Sequence, residues 1–115
     1  MVLIEREILN WAVEALKEKF ALPDNVVIHK NDGAYGKFDA LVQIMNVDFL
    51  CDIKSNITAT NINTVVNRLQ KYMATEYRPV LLVAKYINPN MFDKLVGLGL
   101  NILDCAGNCH RSSYV

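Results

Sequence analysis

Three things are missing from this chain of 115 residues: net charge, a long apolar run and an even set of cysteines. Twelve basic against twelve acidic residues leave no net charge. The field of the whole molecule therefore does not gather a polyanion or an acidic membrane surface, and any nucleic-acid contact has to come from a local patch. The longest apolar stretches, such as PVLLVA, are far too short to span a bilayer, and the opening MVLIERE lacks the charged-then-apolar layout of a secretion signal. These absences predict a cytoplasmic protein with no membrane partner. Three cysteines fit a reducing compartment better than a disulfide framework. Cys105, Cys109 and His110 spell C-x3-C-H, but a fourth ligand at metal-site spacing is lacking, so small buried thiols are the better assignment. His29 and His110 have no partner set and are expected at the surface or at strand ends. No repeat, low-complexity tract or linker divides the chain. A hydrophobic content of 52% supports one compact domain, and the length is too short for two.

What is present is periodicity. Ile4, Ile8, Ala12, Ala15, Leu16 and Phe20 recur at helical spacing over 4 to 20, with Glu5, Glu7, Glu14, Lys17 and Glu18 mostly outward, and Pro23 ends the pattern. VVIHK predicts a short strand, and NDGAYGK a loop. A second helix is predicted over about 59 to 74 from Ile62, Val65, Val66, Leu69, Tyr72 and Met73, with Thr58 or Thr60 as its cap. RPVLLVAKYI is apolar on both faces, as a central strand under helices must be. Asn88-Pro89 supplies a cap and first-turn proline for a third helix through Met91, Phe92, Leu95 and Val96, which Gly97 or Gly99 ends. LNILD returns as a last strand, and Asp104 and Asn108 around Ala-Gly predict a turn with Gly107 at positive φ. The order α-β-β-β-α-β-α-β predicts an α/β fold, a mixed sheet flanked by helices with parallel pairing across the crossover.

The segment KFDALVQIMNVDFLCDIK predicts a hairpin. Phe38, Ala40, Val42 and Ile44, then Val47, Phe49, Cys51 and Ile53, alternate along one core face. The other face carries Lys37, Asp39, Leu41, Gln43, Asp48, Leu50, Asp52 and Lys54. With Met45-Asn46 as a two-residue turn, Ile44 faces Val47 and Asp39 falls opposite Asp52, Cβ to Cβ roughly 5 Å. A slip of one residue would set polar positions against core positions, so the register is specified. Two close carboxylates repel unless something neutralises them; a solvated face in which Asp52 pairs with Lys54 or Lys37 is the plain assignment. Leu41 and Leu50 imply cover instead, which favours a hard divalent ion on Asp39 and Asp52. Mg²⁺ takes one or two carboxylates and completes its shell with water and phosphate oxygen. Lys54 beside them can orient or deprotonate a water, or offset charge on a phosphate.

Asp39, a hairpin, and then Asp52-Ile53-Lys54 on a sheet between two helices resembles the PD-(D/E)xK superfamily of restriction-endonuclease-like nucleases, over about positions 4 to 85. The resemblance implies a restriction-endonuclease-like fold, a Mg²⁺ or Mn²⁺ cofactor on Asp39 and Asp52, and a catalytic set of Asp39, Asp52 and Lys54. It also implies a supporting acid on the first helix, Glu14 or Glu7, and a supporting polar residue on the second, Gln70 or Arg68. Without that role, Arg68 and Lys71 are solvated charge that can join Lys54 in a small phosphate patch. Lys37-Phe38 stands where the family often has proline.

Tyr86-Ile87-Asn88-Pro89, Gly99-Leu100-Asn101 and Asp104-Cys105-Ala106-Gly107-Asn108 make the C-terminal third similar to AbiEi-type transcriptional regulators, antitoxins of type IV toxin–antitoxin systems. That resemblance implies a DNA-associated regulator whose nuclease-like domain is joined to a winged helix, with DNA and a cognate toxin or second copy as partners. The span 1 to 115 is then one nuclease-like domain excised from a longer protein. An active Mg²⁺-dependent endonuclease using Asp39, Asp52 and Lys54 is the alternative. A non-catalytic protein-interaction module is the third, and zero net charge favours it.

Overall fold

The computed structural model describes residues 2–20, 27–30 and 38–111. The predicted loop 31–37, Lys37 and Pro23 lie outside the described residues, as do the side chains of Ile4, Phe20 and His29. Helix α1 spans Val2–Phe20, strands β1 Val27–Lys30, β2 Ala40–Ile44 and β3 Val47–Ile57, helix α2 Ile62–Thr75, strand β4 Val80–Ile87, helix α3 Pro89–Gly97, and strands β5 Asn101–Asp104 and β6 Cys109–His110. The six strands form one sheet in chain order. Pairing is antiparallel from β1 to β3, parallel from β3 through β5, and antiparallel again at β6. This is a mixed α/β sheet in the predicted order, with a two-residue edge strand added. None of the described helices is long and apolar enough to cross a membrane.

Both faces of the sheet are covered. Ile8, Leu9, Ala12, Val13 and Leu16 of α1 pack on Ala40, Val42, Phe49, Cys51, Ile53, Leu81 and Val83. On the other face Ile62, Val65, Val66 and Leu69 of α2 and Leu95 of α3 cover Leu41, Leu50, Val80, Leu82, Ala84 and Ile102. Strand β4 explains its own composition: Leu81 and Val83 serve one layer, Leu82 and Ala84 the other, and all four are buried. Period-2 alternation with apolar residues on both sides is what a strand between two helical layers requires.

The hairpin closes on Met45-Asn46, with Ile44 opposite Val47 and the register unslipped as far as Ala40 opposite Cys51. Both turn residues are left-handed, Met45 at φ 50° and Asn46 at φ 69°. This is the turn whose twist matches a two-residue hairpin, and it strains a side chain such as methionine by roughly 1 kcal/mol or more. The double replacement Met45→Asn, Asn46→Gly is therefore expected to raise stability by about 1 kcal/mol. An unchanged or lower urea midpoint would count against this.

Two local expectations are corrected. Phe38 does not join Ala40 on the α1 face; it packs with the α2 layer, its ring meeting Tyr72 edge-on at 4.8 Å. It precedes β2, and the chain bends at Asp39, so strand alternation does not carry across. The second helix starts at Ile62, a few residues inside the predicted span, and neither Thr58 nor Thr60 is its cap. Thr58 and Asn61 instead exchange bonds before the helix: Thr58 N donates to Asn61 Oδ1 at 2.8 Å, and Asn61 N to Thr58 Oγ1 at 3.2 Å. Short polar side chains offer the backbone such local bonds and delay the helix. Helix α3 starts as expected, with Pro89 in its first turn and Asn88 Oδ1 accepting from Asn90 N at 2.9 Å. Gly99, at φ 77°, turns the chain after it.

Candidate functional site

The site is built where β2 begins, against the middle of β3. Asp39 lies one residue beyond the ladder, and there the cross-strand bonding changes. Its N–H donates to the Cys51 carbonyl at 2.9 Å, while its Oδ2 accepts from the Ile53 N–H at 2.8 Å. The carboxylate replaces a backbone acceptor, and Asp39 thereby brackets Asp52 through the residues on either side of it. Asp52 points to the α2 layer and is 4% exposed. Its Oδ2 accepts from Arg68 Nη2 at 2.9 Å, and Lys54 Nζ lies 3.8 Å from its Oδ1.

Burial pushes the Asp52 carboxyl above its ordinary range; Lys54 and Arg68 pull it down and Asp39 adds to the rise. A buried carboxylate without a counterion is costly, so the two cations are what the position demands. Glu5 of α1, which sequence spacing places outward, belongs to the same electrostatic group. Its carboxyl is raised first by burial and then by Asp39, with Lys54 opposing and Asp52 adding. Glu5 stands three and four residues before the buried Ile8 and Leu9, at the border of the inward stripe, and is itself half-buried, a position that helical spacing alone leaves open.

Of the other supporting candidates, Glu14 is solvated and pairs with Lys17 at 3.5 Å, and Glu7, Gln70 and Lys71 are exposed. Gln70 is thus placed on the outside of α2, whereas Arg68, one face round, turns in to Asp52. Asp104 is fully buried and works as a turn: Oδ1 accepts from Ala106 N and Asn108 N at 2.9 and 3.0 Å, and Oδ2 accepts from Asn108 Nδ2 at 3.1 Å. Gly107, at φ 86°, completes it. Cys51 is fully buried, burial pushing its thiol well up, and no disulfide joins it to Cys105 or Cys109. Cys105 Sγ donates to the Ile8 carbonyl at 3.4 Å. His110 is half-buried in the edge strand β6, with Nδ1 3.0 Å from the Leu100 carbonyl.

Among the described residues, no group of three or more His, Cys, Asp or Glu side chains is set to hold a metal ion. A pair of carboxylates is nevertheless a donor set that suits Mg²⁺ or Mn²⁺, because such ions keep several waters and share a phosphate oxygen. A carboxylate can accept more than one bond, so the Ile53 amide on Asp39 Oδ2 leaves the carboxylate capacity toward a cation. No protein-family model, curated protein or solved structure matches this chain.

The Glu5 carboxyl makes a pH prediction. A raised folded pKa means the native state holds the proton more tightly than the unfolded chain. The stability that Glu5 contributes is therefore full below its unfolded pKa and is lost as pH rises through the folded one. Asp52 has the same sign. Relative to the natural protein, Glu5→Gln is expected to gain stability between about pH 4 and pH 7. Urea titrations at both pH values check this, and a relative loss on going to pH 7 would contradict the placement of Glu5.

Proposed function

We propose that this is a restriction-endonuclease-like domain whose Asp39, Asp52 and Lys54 act on a phosphodiester of nucleic acid with Mg²⁺ or Mn²⁺. The observation that supports it is the bonding of Asp39 to the backbone on either side of Asp52, at Cys51 and Ile53, with the Lys54 ammonium 3.8 Å from the Asp52 carboxylate. Three antiparallel strands followed by a parallel fourth across α2, with α1 on the opposite face, support the PD-(D/E)xK resemblance. Asp39 and Asp52 would hold the ion, which when bound polarises a phosphoryl oxygen. Lys54, once it has given up its own proton to solvent, takes one from the attacking water, or as the ammonium it offsets charge gathering on the phosphate. Glu5, whose carboxyl shares the field of Asp39 and Asp52, adds to the pull on a divalent ion when ionised. The test is incubation of plasmid and oligonucleotide with the intact protein and Mg²⁺ or Mn²⁺; absence of metal-dependent cleavage would remove the catalytic part.

A second function has its own support. Both Asp52 oxygens have a cationic neighbour, Arg68 and Lys54, a state in which the site is stable without turning over. Such a domain serves as scaffold in a DNA-associated regulator of AbiEi antitoxin type, the assignment the C-terminal segments favour. This predicts salt-sensitive operator binding by a protein that carries the winged helix. DNA binding that is indifferent to salt, or none, would leave the protein-interaction module.

A further inference from the structure

Arg68 holds the oxygen that an incoming cation needs. Its Nη2 is 2.9 Å from Asp52 Oδ2, whereas its Nε is buried with no hydrogen-bond partner among the described residues. A guanidinium can meet a carboxylate or phosphate with two parallel N–H donors. Here a buried donor is left over, so the Asp52 contact does not use the whole fork. The Arg68 side chain is still 38% exposed, against 6% for Asp52. It lies at the border between the buried acid and the solvent from which a polyanion would approach.

We propose that Arg68 is a positioning residue that exchanges partners. It holds Asp52 while no divalent ion is bound, and it passes to a phosphate of the nucleic-acid backbone when one is. This rests on the metal and phosphate function proposed above. Without an ion, the buried Asp52 needs a counterion, and Arg68 supplies it. The same pair makes a divalent ion alone a poor competitor, because displacing the guanidinium strands its charge at the edge of the core. A phosphate relieves that cost, since the planar donors fit its oxygens as well as they fit a carboxylate. Ion and backbone phosphate therefore load together, each tightening the other, as linkage requires. Lys54 takes no part in the exchange, because its 3.8 Å separation from Asp52 is longer than a hydrogen bond and a point ammonium offers no fork.

The experiment is Mn²⁺ titration of the full chain followed by electron paramagnetic resonance, with Arg68→Gln beside the natural protein. The variant loses the competing guanidinium and is expected to bind Mn²⁺ about tenfold more tightly in the absence of nucleic acid, within the usual span of a coupling between two ligands of one site. Circular dichroism checks that it folds. A measurement on the unmutated protein runs in parallel: the Arg68 Nε–H signal in nitrogen–proton spectra is expected to move little with Mg²⁺ alone and to shift when a short oligonucleotide is added with it. Equal or weaker Mn²⁺ binding by Arg68→Gln, with the natural protein binding Mn²⁺ through Asp52, would overturn the exchange and leave the metal site standing. Mn²⁺ binding by neither protein, or binding unaffected by Asp52→Asn, would remove the metal site and the exchange with it.

Discussion

Lys54→Ala is expected to lower Mg²⁺-dependent cleavage of an oligonucleotide by about 10²- to 10⁴-fold, the range that a positioned proton-transfer group contributes. The fold should survive. Lys54 is half-buried, its contact with Asp52 is long, and Arg68 keeps the shorter bond to that carboxylate. The loss should therefore appear as lower turnover, with thermal unfolding changed only slightly and Mn²⁺ binding retained, because Asp39 and Asp52 are untouched. That combination separates a chemical role for the ammonium from a structural one. Equal cleavage by the variant would show that Lys54 does not handle the proton, and that any activity belongs to other residues.

Leu82→Ala is expected to have the largest effect on stability. Leu82 is 0% exposed at the centre of β4, in the layer covered by α2 and α3. Truncating a buried leucine there should cost about 3 to 4 kcal/mol, from lost transfer energy and from the cavity left between sheet and helices. For a domain of this size that lowers the melting temperature by roughly 10 to 20 °C. A urea midpoint implying less than about 1 kcal/mol would mean that the layer collapses into the space. The site should feel the change too, since Leu82 is the register partner of Asp52 on the neighbouring strand. Less packing there admits water to the carboxylate and weakens its demand for two counterions.

Much of the frame was legible because it is local or strictly periodic. The hairpin turn, its register from Ile44 and Val47 to Ala40 and Cys51, the two-faced β4, the Asn88-Pro89 start of α3 and the Asp104 turn each follow from spacing and side-chain chemistry within a few residues. Other features depend on where a chain segment leaves its regular state. Phe38 changed layers because the bend at Asp39 interrupts the alternation. The start of α2 moved because Thr58 and Asn61 bond each other before the helix begins. The edge strand β6 has only two residues, too few to carry any period.

By itself the sequence determined which residues are apolar in which period, and therefore a mixed sheet between helical layers with Asp39, Asp52 and Lys54 near the hairpin's end. Only the tertiary structure decided which charges meet there. Glu5 comes from α1 on one side of the sheet and Arg68 from α2 on the other, and Glu14 and Gln70 are left in solvent. The physical reason is that helical spacing specifies a stripe, while the residues flanking the stripe are assigned by the packing of the helix against the sheet. At Asp52 that packing excludes water, and the buried carboxylate then selects the cations within reach.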